Sequence, residues 1–151
     1  MKVSSLIRGE VTSCTIHDNL ERAAQLIWER DVGCLPVRGD QGHVAGMVTD
    51  RDACVAAYMQ GAPMRAISVT SAMARHVYSC RGADEVDAVE DMMREHQIRR
   101  MLVIDEQRHP VGVVSLNDIA RAASSGTVPS RDVIATLAAV GAPRTIVEPA
   151  P

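Results

Sequence analysis

Apolar and polar residues follow two different periods along the first half of the chain, and each period predicts one kind of element. Apolar residues recur every three or four positions over 20–27, which is the spacing of one buried face of an amphipathic helix. Two short apolar runs at 35–37 and 44–48 are joined by a polar turn, a pattern typical of a β-hairpin. With an extended segment at 11–14 and a closing helix at 51–60, the predicted order is β-α-β-β-α.

The same order returns in the second half, because the chain repeats itself at a shift of 66 residues. Between 3–57 and 69–123, 15 aligned positions are identical. Asp18 and Asp84 stand before the two amphipathic helices, where we expect them to act as N-caps or first-turn acids. The second copy has predicted elements at 77–80, 86–96, 101–104, 111–114 and 116–124, and short helical lead-ins are expected at 4–8 and 70–74.

The repeat also predicts the domain organisation. The first copy is expected over 1–62 and the second over 63–126. An additional helix is expected over 127–140 with Ser130 as its N-cap, and 141–151 has the composition of a flexible tail. Copies of roughly 60 residues are marginal on their own, so we expect the two to share one core in an α+β domain.

Composition and charge exclude several classes of function. The chain of 151 residues has 16 basic and 19 acidic residues, a net charge of −3, and Lys2 as its single lysine. Nucleic-acid binding is not expected, because it needs a clustered basic footprint or aromatic platforms, and aromatic residues make up 2% of the chain. No apolar run is long enough to span a membrane, and the first residues lack a signal-peptide pattern. We therefore expect a cytoplasmic protein without a membrane partner.

Cysteine and histidine positions give little support to redox, metal or catalytic chemistry. The cysteines form no C-x-x-C pair, and their apolar flanks favour buried, reduced thiols: Cys14, Cys34, Cys54 and Cys80. The histidines lack metal-ligand spacing, and the equivalent pair His43 and His109 is expected at the hairpin turns, away from the aspartates described next. No nucleophile-elbow motif is present. We expect no metal site and no enzyme activity, with a redox or enzymatic role of the cysteines as a third interpretation.

One polar motif occurs at the same place in both copies: Gly, two apolar residues, Thr or Ser, two variable residues and Asp. A predicted strand ends at Thr49 or Ser115 and a helix follows, with Asp52 or Asp118 in its first turn. This arrangement fits a capping box, in which the two side chains satisfy free amides of the helix. The same junction presents backbone donors to a phosphate and a carboxylate to the hydroxyls of a ribose. Both interpretations can hold together.

These residues resemble the tandem cystathionine-β-synthase (CBS) domain pair, or Bateman module, of the stand-alone bacterial type. The resemblance covers residues 3–124 and rests on the element order, on the strands at 35–37 and 101–105, and on both copies of the motif. It implies two pseudo-symmetric β-α-β-β-α repeats packed as one CBS pair. It also implies clefts between the repeats that bind an adenosine-containing compound: AMP, ADP, ATP or S-adenosylmethionine. A homodimer of pairs and the absence of a required cofactor are further implications.

The resemblance assigns ligand-binding roles residue by residue. Those implied to hold ribose hydroxyls or phosphate are Thr49, Asp52, Ser115 and Asp118. The extended segments implied to face the adenine lie around Cys14, Ile16 and Cys80. Basic residues before the middle strand would bind phosphate, and the second copy has them as Arg99 and Arg100. The equivalents in the first copy are Gly33 and Cys34, so we expect two unequal sites.

The expected function is therefore a regulatory, ligand-sensing module whose shape or assembly changes when the ligand binds. The alternative is a CBS-fold scaffold or protein-interaction module that binds no nucleotide. Either function requires a downstream protein partner.

Overall fold

The two copies fold into the same series of elements in the computed structural model, which describes residues 1–127 and 130–143. The first copy contains β1 (Cys14–Thr15), α1 (Leu20–Glu29), β2 (Cys34–Arg38), β3 (Val44–Thr49) and α2 (Asp50–Gln60). The second contains α3 (Val69–Ala72), β4 (Ser79–Cys80), α4 (Val86–His96), β5 (Arg100–Ile104), β6 (Pro110–Ser115) and α5 (Leu116–Ser124), and α6 (Ser130–Gly141) follows. Short 3-10 turns lie at Val3–Ser5 and Met64–Ala66. The predicted β-α-β-β-α order is confirmed in both copies.

Each copy builds its own three-stranded sheet, with the second strand in the middle. The first strand runs parallel to the middle one, and the hairpin partner runs antiparallel to it. Cys34 pairs with Thr49, and Arg100 pairs with Ser115. The first residue of each middle strand therefore lies beside the hydroxyl residue that starts the following helix.

Buried apolar residues form two separate clusters, one in each copy, so the single shared core predicted from the length of the repeats is wrong. The copies are joined instead by exchanged lead-in segments. Val3 is buried in the core of the second copy, and Val69 and Met73 are buried in the core of the first. The amide of Val3 donates to the carbonyl of Asp84 at 3.0 Å, and the amide of Val69 donates to Asp18 at 3.0 Å. This exchange fixes the relative position of the two copies.

Helix α6 extends the core of the second copy. Val133 is buried in that cluster, and Thr136 is fully buried, with its hydroxyl 3.1 Å from Oε1 of Glu90 on α4. The N-cap side chain predicted at Ser130, and most of the tail predicted over 141–151, lie outside the described residues. Within the part of the chain that the structure describes, no helix is both long and apolar enough to cross a membrane.

The predicted N-cap role of Asp18 and Asp84 is wrong. Helix α1 is capped by Asn19, whose side chain accepts from the amide of Arg22 at 2.9 Å. Asp18 closes the preceding turn, accepting from the amide of Thr15 at 2.7 Å, and Asp84 does the same in the second copy. Each carboxylate therefore accepts from an amide three residues earlier, at the end of the first strand, and not from an amide of the following helix.

Candidate functional site

The hydroxyl–aspartate motif forms a capping box in both copies, as predicted. In the second copy the amide of Ser115 donates to Oδ2 of Asp118 at 2.8 Å, the Ser115 hydroxyl hydrogen-bonds the same oxygen, and the amide of Asp118 donates back to Oγ at 3.2 Å. Thr49 and Asp52 make the same three contacts at 2.9, 2.8 and 3.1 Å. Each box uses Oδ2 of its aspartate and leaves Oδ1 outside the box.

A cavity of about 500 Å³ lies between the two copies, beside the capping box of the second. Three parts of the chain line it. The first copy supplies the N-terminal segment 6–12 and residues 31–34, which lead from α1 into the start of β2. The second copy supplies residues of β5, β6 and α5. The polar side chains of the second copy in this lining are Arg100, Ser115, Asn117, Asp118 and Arg121. The cavity therefore brings together hydroxyl, carboxylate and guanidinium groups that the sequence predicted for one site.

Arg100 reaches this cavity because Gly33 has no side chain. A Cβ atom placed on Gly33 would collide with the Arg100 guanidinium. Arg99, by contrast, is exposed and does not line the cavity, and its carbonyl accepts from the amide of Leu116 at 2.9 Å. Only one residue of the predicted basic pair is thus placed at the site. Since Gly33 occupies the repeat position of Arg99, the small residue of one copy makes room for the cation of the other.

Residues 8–12 line the cavity, and their backbone groups make no hydrogen bond with other described residues. The reason lies in the neighbouring strand. In the second copy the amide of Leu102 donates to the carbonyl of Tyr78 at 3.2 Å. The equivalent residue in the first copy is Pro36, which has no N–H to donate, so the carbonyl of Thr12 stays free. Sequence reasoning missed this acceptor, although Pro36 and Leu102 stand at equivalent repeat positions.

The equivalent edge in the other half of the molecule is closed. The amide of Met47 donates to the carbonyl of Ala74 at 3.0 Å, and Ala74 returns a bond of 2.8 Å. The corresponding residues beside the cavity, Val113 and Arg8, are both described and make no such pair. The two halves therefore differ in their backbone hydrogen bonds as well as in their basic side chains.

The structure places Cys14, Ile16 and Cys80 outside the lining of this cavity, so their role at a ligand stays a prediction. Cys14 and Cys80 are buried in the two cores, and Ile16 packs against the first. The N-terminal segment that lines the cavity is 6–12, which precedes β1. Thr49 and Asp52 do not line this cavity either.

Three of the four thiols are buried, as predicted: Cys14, Cys34 and Cys80. Cys54 is exposed on α2, so the prediction is wrong for that residue. Burial raises the pKa of each buried thiol to about 11. For Cys34, which lines the cavity, the nearby Arg100 opposes this rise without cancelling it. A thiol with so high a pKa stays protonated at neutral pH and is a poor nucleophile.

The equivalent histidines meet each other at the hairpin ends, far along the strands from the capping boxes. The rings of His43 and His109 stack with centroids 5.0 Å apart. Nδ1 of His43 lies 2.8 Å from the carbonyl of Gln107, and Nδ1 of His109 lies 3.4 Å from Asp105. Among the described residues, no group of three or more His, Cys, Asp or Glu side chains is placed to hold a metal ion.

Comparison with known proteins connects this architecture to one family. The family model of the CBS domain matches residues 3–57 and 68–125. Hypoxic response protein 1 of Mycobacterium tuberculosis is 34% identical over 116 residues, which are 77% of this chain and 80% of that protein. A CBS domain-containing protein of Bacillus subtilis is 30% identical over 118 residues, or 78% and 82% of the two chains.

Solved structures share the same fold. The crystal structure of hypoxic response protein I with two coordinated zinc ions superimposes with a TM-score of 0.71 at 31% identity, over 80% of this chain and 98% of that one. A CBS domain protein from Pyrobaculum aerophilum complexed with AMP has a TM-score of 0.74 at 20% identity, over 84% and 98% of the chains. The second likeness shows the fold alone.

Proposed function

The chain belongs to the CBS domain family, with two CBS domains in tandem, and we propose that it is a regulatory module that binds an adenosine-containing compound between its two copies. One observation carries the proposal: the cavity of about 500 Å³ between the copies joins the Ser115–Asp118 box, the Arg100 guanidinium and the free carbonyl of Thr12. Each of these groups complements one part of a nucleotide.

The chemistry of the lining gives each group a partner on the ligand. The carboxylate of Asp118 accepts hydrogen bonds, as the hydroxyls of a ribose require. Arg100 offers charge-assisted bonds to a phosphate. The free carbonyl of Thr12 accepts a hydrogen bond from an exocyclic amine such as that of adenine, while Ile7 and Val113 supply apolar surface for the base. AMP, ADP, ATP and S-adenosylmethionine remain the proposed ligands.

We assign the principal site to the second copy's capping box. Thr49 and Asp52 have the same geometry, but the two-way backbone pair of Met47 with Ala74 closes the corresponding edge. These two residues act first as a helix cap, and they contribute to a second site only when that pair opens. The proposed stoichiometry is therefore one ligand per chain.

A binding role fits the cavity better than a catalytic role. The one thiol in its lining, Cys34, has its pKa raised to about 11 by burial, and Ser115 is engaged in the capping box. Neither group is activated as a nucleophile. The protein therefore requires no cofactor in this proposal, and its output passes to a downstream partner protein.

Thermal unfolding with a panel of adenosine compounds tests the proposal. A ligand that binds the folded state alone adds about 2.7 kcal/mol of stability at 100 times its Kd. We expect the shift to disappear in Asp118→Asn and to persist in Asp52→Asn, which disturbs the equivalent cap and serves as the matched control. The proposal fails if no compound in the panel shifts the transition at millimolar concentration, or if both variants lose the shift equally.

A second candidate is a protein-interaction module that uses the same fold without a nucleotide. The observation that favours it is an apolar surface on the first copy, formed by Trp28 of α1 and by Val55, Tyr58 and Met59 of α2, all of them exposed. A protein whose transition responds to no ligand of the panel would support this second function.

A further inference from the structure

The guanidinium of Arg121 pairs with the carboxylate of Asp118, which the proposed ligand also needs as an acceptor. Arg121 lies three residues after Asp118 on α5, and its guanidinium forms an ion pair with Oδ1 of that residue. Both side chains line the cavity, with Arg121 63% exposed and Asp118 22% exposed. The pair therefore lies at the cavity mouth, where an incoming molecule can displace the more exposed partner.

The ion pair limits what Asp118 can accept. A carboxylate offers about four lone-pair positions for hydrogen bonds. Oδ2 of Asp118 already receives the amide and the hydroxyl of Ser115, and Oδ1 receives Arg121. One position remains, while the two hydroxyls of a ribose need two. A ribose can use both only if the guanidinium leaves Oδ1.

The first copy shows the same carboxylate without this competitor. Its residue at the position of Arg121 is Val55, and Oδ1 of Asp52 has no contact among the described residues. That half of the molecule is closed by the Met47–Ala74 backbone pair. The open cavity therefore has the occupied carboxylate, and the closed edge has the free one.

We propose that Arg121 is a specificity-determining residue that selects nucleoside phosphates over uncharged or cationic adenosine compounds. This inference rests on the proposed function and deepens it. A phosphate in the cavity gives the displaced guanidinium a new anionic partner beside Arg100, so the loss of the Asp118 pair is offset. Adenosine supplies no such partner, and S-adenosylmethionine brings its sulfonium cation next to two guanidinium groups. Adenosine must therefore break the ion pair without compensation, and the positive sulfonium opposes the binding of S-adenosylmethionine.

Calorimetric titration of the full chain with AMP, adenosine and S-adenosylmethionine tests the assignment. Arg121→Val installs the residue of the first copy. We expect it to bind adenosine about three- to fivefold more tightly than the wild type, since an exposed ion pair no longer competes. The same variant should bind AMP about tenfold more weakly, because a charge-assisted bond to the phosphate is lost. The ratio of AMP to adenosine affinity should thus fall by more than tenfold.

Arg51→Val is the matched control, because Arg51 is an exposed arginine on α2 that neither lines the cavity nor pairs with Asp118. It should leave adenosine affinity unchanged.

The dependence of adenosine affinity on salt distinguishes this role of Arg121 from a purely structural one. Raising the ionic strength screens the Arg121–Asp118 pair, so adenosine should bind the wild type more tightly at high salt and Arg121→Val equally at both concentrations.

The outcomes separate this inference from the function on which it rests. If AMP binds the wild type but Arg121→Val leaves the affinity for adenosine unchanged or lower, the selective role of Arg121 is overturned and nucleotide binding stands. If neither protein binds any of the three compounds, both proposals are overturned. Arg121→Gln, which keeps a polar side chain of similar length, replaces the valine variant should the latter unfold, and the same results are expected from it.

Discussion

Glu90 is a carboxyl group buried where α6 covers α4. Its side chain is 1% exposed, Oε1 contacts the hydroxyl of Thr136, and Oε2 has no partner among the described residues. Burial raises the pKa of Glu90 above its ordinary value of 4.5, and the approach of Thr136 and Arg94 only partly opposes this. The acidic Asp132 and Asp87 add to the rise. Above its raised pKa, the ionised carboxylate of Glu90 therefore destabilises the docking of α6.

Replacing Glu90 with Gln should stabilise the protein at neutral pH. Because the folded-state pKa is raised, the contribution of Glu90 to stability is fully present below 4.5 and is lost as the pH rises through the folded value. Glu90→Gln removes this loss, so at pH 7 we expect a melting temperature about 2–4 °C higher, equivalent to roughly 1 kcal/mol. The dependence of the melting temperature on pH above 4.5 should also become flatter.

Glu85 provides a control, because its pKa is shifted in the direction opposite to that of Glu90. Hydrogen bonds from Lys2 and from the N-terminal amine lower the pKa of Glu85 to about 2. The contribution of Glu85 to folding stability is present above its ordinary pKa of 4.5 and is lost as the pH falls towards 2. Glu85→Gln should therefore lower the melting temperature at pH 7 and leave the slope above 4.5 unchanged. Identical melting curves for Glu90→Gln and the wild type at pH 5 and pH 7 would contradict the assignment.

At the scale of elements, the two parallel strand pairs differ in the hydrogen bond at the start of the pairing. The amide of Leu102 closes the ladder onto Tyr78 in the second copy, while Pro36 leaves the carbonyl of Thr12 free in the first. The proline costs the sheet a hydrogen bond and leaves an acceptor at the cavity. A local weakness of the β1–β2 pair is therefore a property of the proposed site.

Restoring the missing donor should weaken ligand binding. Pro36→Ala supplies an N–H that can bond to the carbonyl of Thr12, so that this acceptor is no longer available to a ligand. We expect the affinity for AMP to fall about fivefold, the value of one hydrogen bond between uncharged groups. Isothermal titration measures this change, and Pro63→Ala in the linker is the control for the general effect of removing a proline. Unchanged affinity in Pro36→Ala would show that the ligand does not use this carbonyl.

Sequence patterns predicted the elements well, because periodicity and capping are local properties. The capping boxes at Thr49 and Ser115 need only a strand end and an aspartate three residues later. The free carbonyl of Thr12 depends instead on the register between strands, which places Pro36 beside it. Asp18 was assigned to the wrong amide for a related reason: a carboxylate before a helix can serve either the helix or the turn before it.

At the scale of the whole molecule, the helical faces of the two copies are unequal. Helix α6 packs over α4 and α5 of the second copy. The equivalent face of the first copy is open, and its Trp28 is 87% exposed. The second copy has Arg94 at the position of Trp28 and Ser124 at the position of Tyr58. We therefore expect the predicted homodimer to form through α1 and α2.

Exchanging these residues for their repeat equivalents should weaken self-association. Trp28→Arg combined with Tyr58→Ser removes two large exposed side chains and should convert a dimer to a monomer in sedimentation velocity at micromolar concentration. Both residues are exposed, so the fold should survive. Leu137→Ser, on the outer face of α6 and also exposed, is the control and should leave the dimer intact. A monomeric wild-type protein, or a control that dissociates equally, would contradict the assignment.

The arrangement of the copies was the least predictable part of the fold. The lead-ins around Val3 and Val69 are short and carry no pattern that distinguishes packing on their own copy from packing on the other. Which copy a lead-in packs against depends on contacts between residues distant in the sequence. The hydrogen bond from the amide of Val3 to the carbonyl of Asp84, for example, joins residues about 80 positions apart. Arg100 reached the site for the same reason, since Gly33 opposite to it lies in the other copy.

The exchanged lead-ins also bear on the history of the chain. A single ancestral copy could complete its core only by trading this segment with a second molecule, as in a swapped dimer of identical chains. In such a dimer Gly33 and Arg99 would be one and the same residue, so no cleft could combine a glycine from one half with the arginines of the other. Two copies joined in one chain are free of that constraint. Each half can then acquire its own mutations, and a symmetric pair of clefts can diverge into one lined by Arg100 and one edged by the Met47–Ala74 backbone pair.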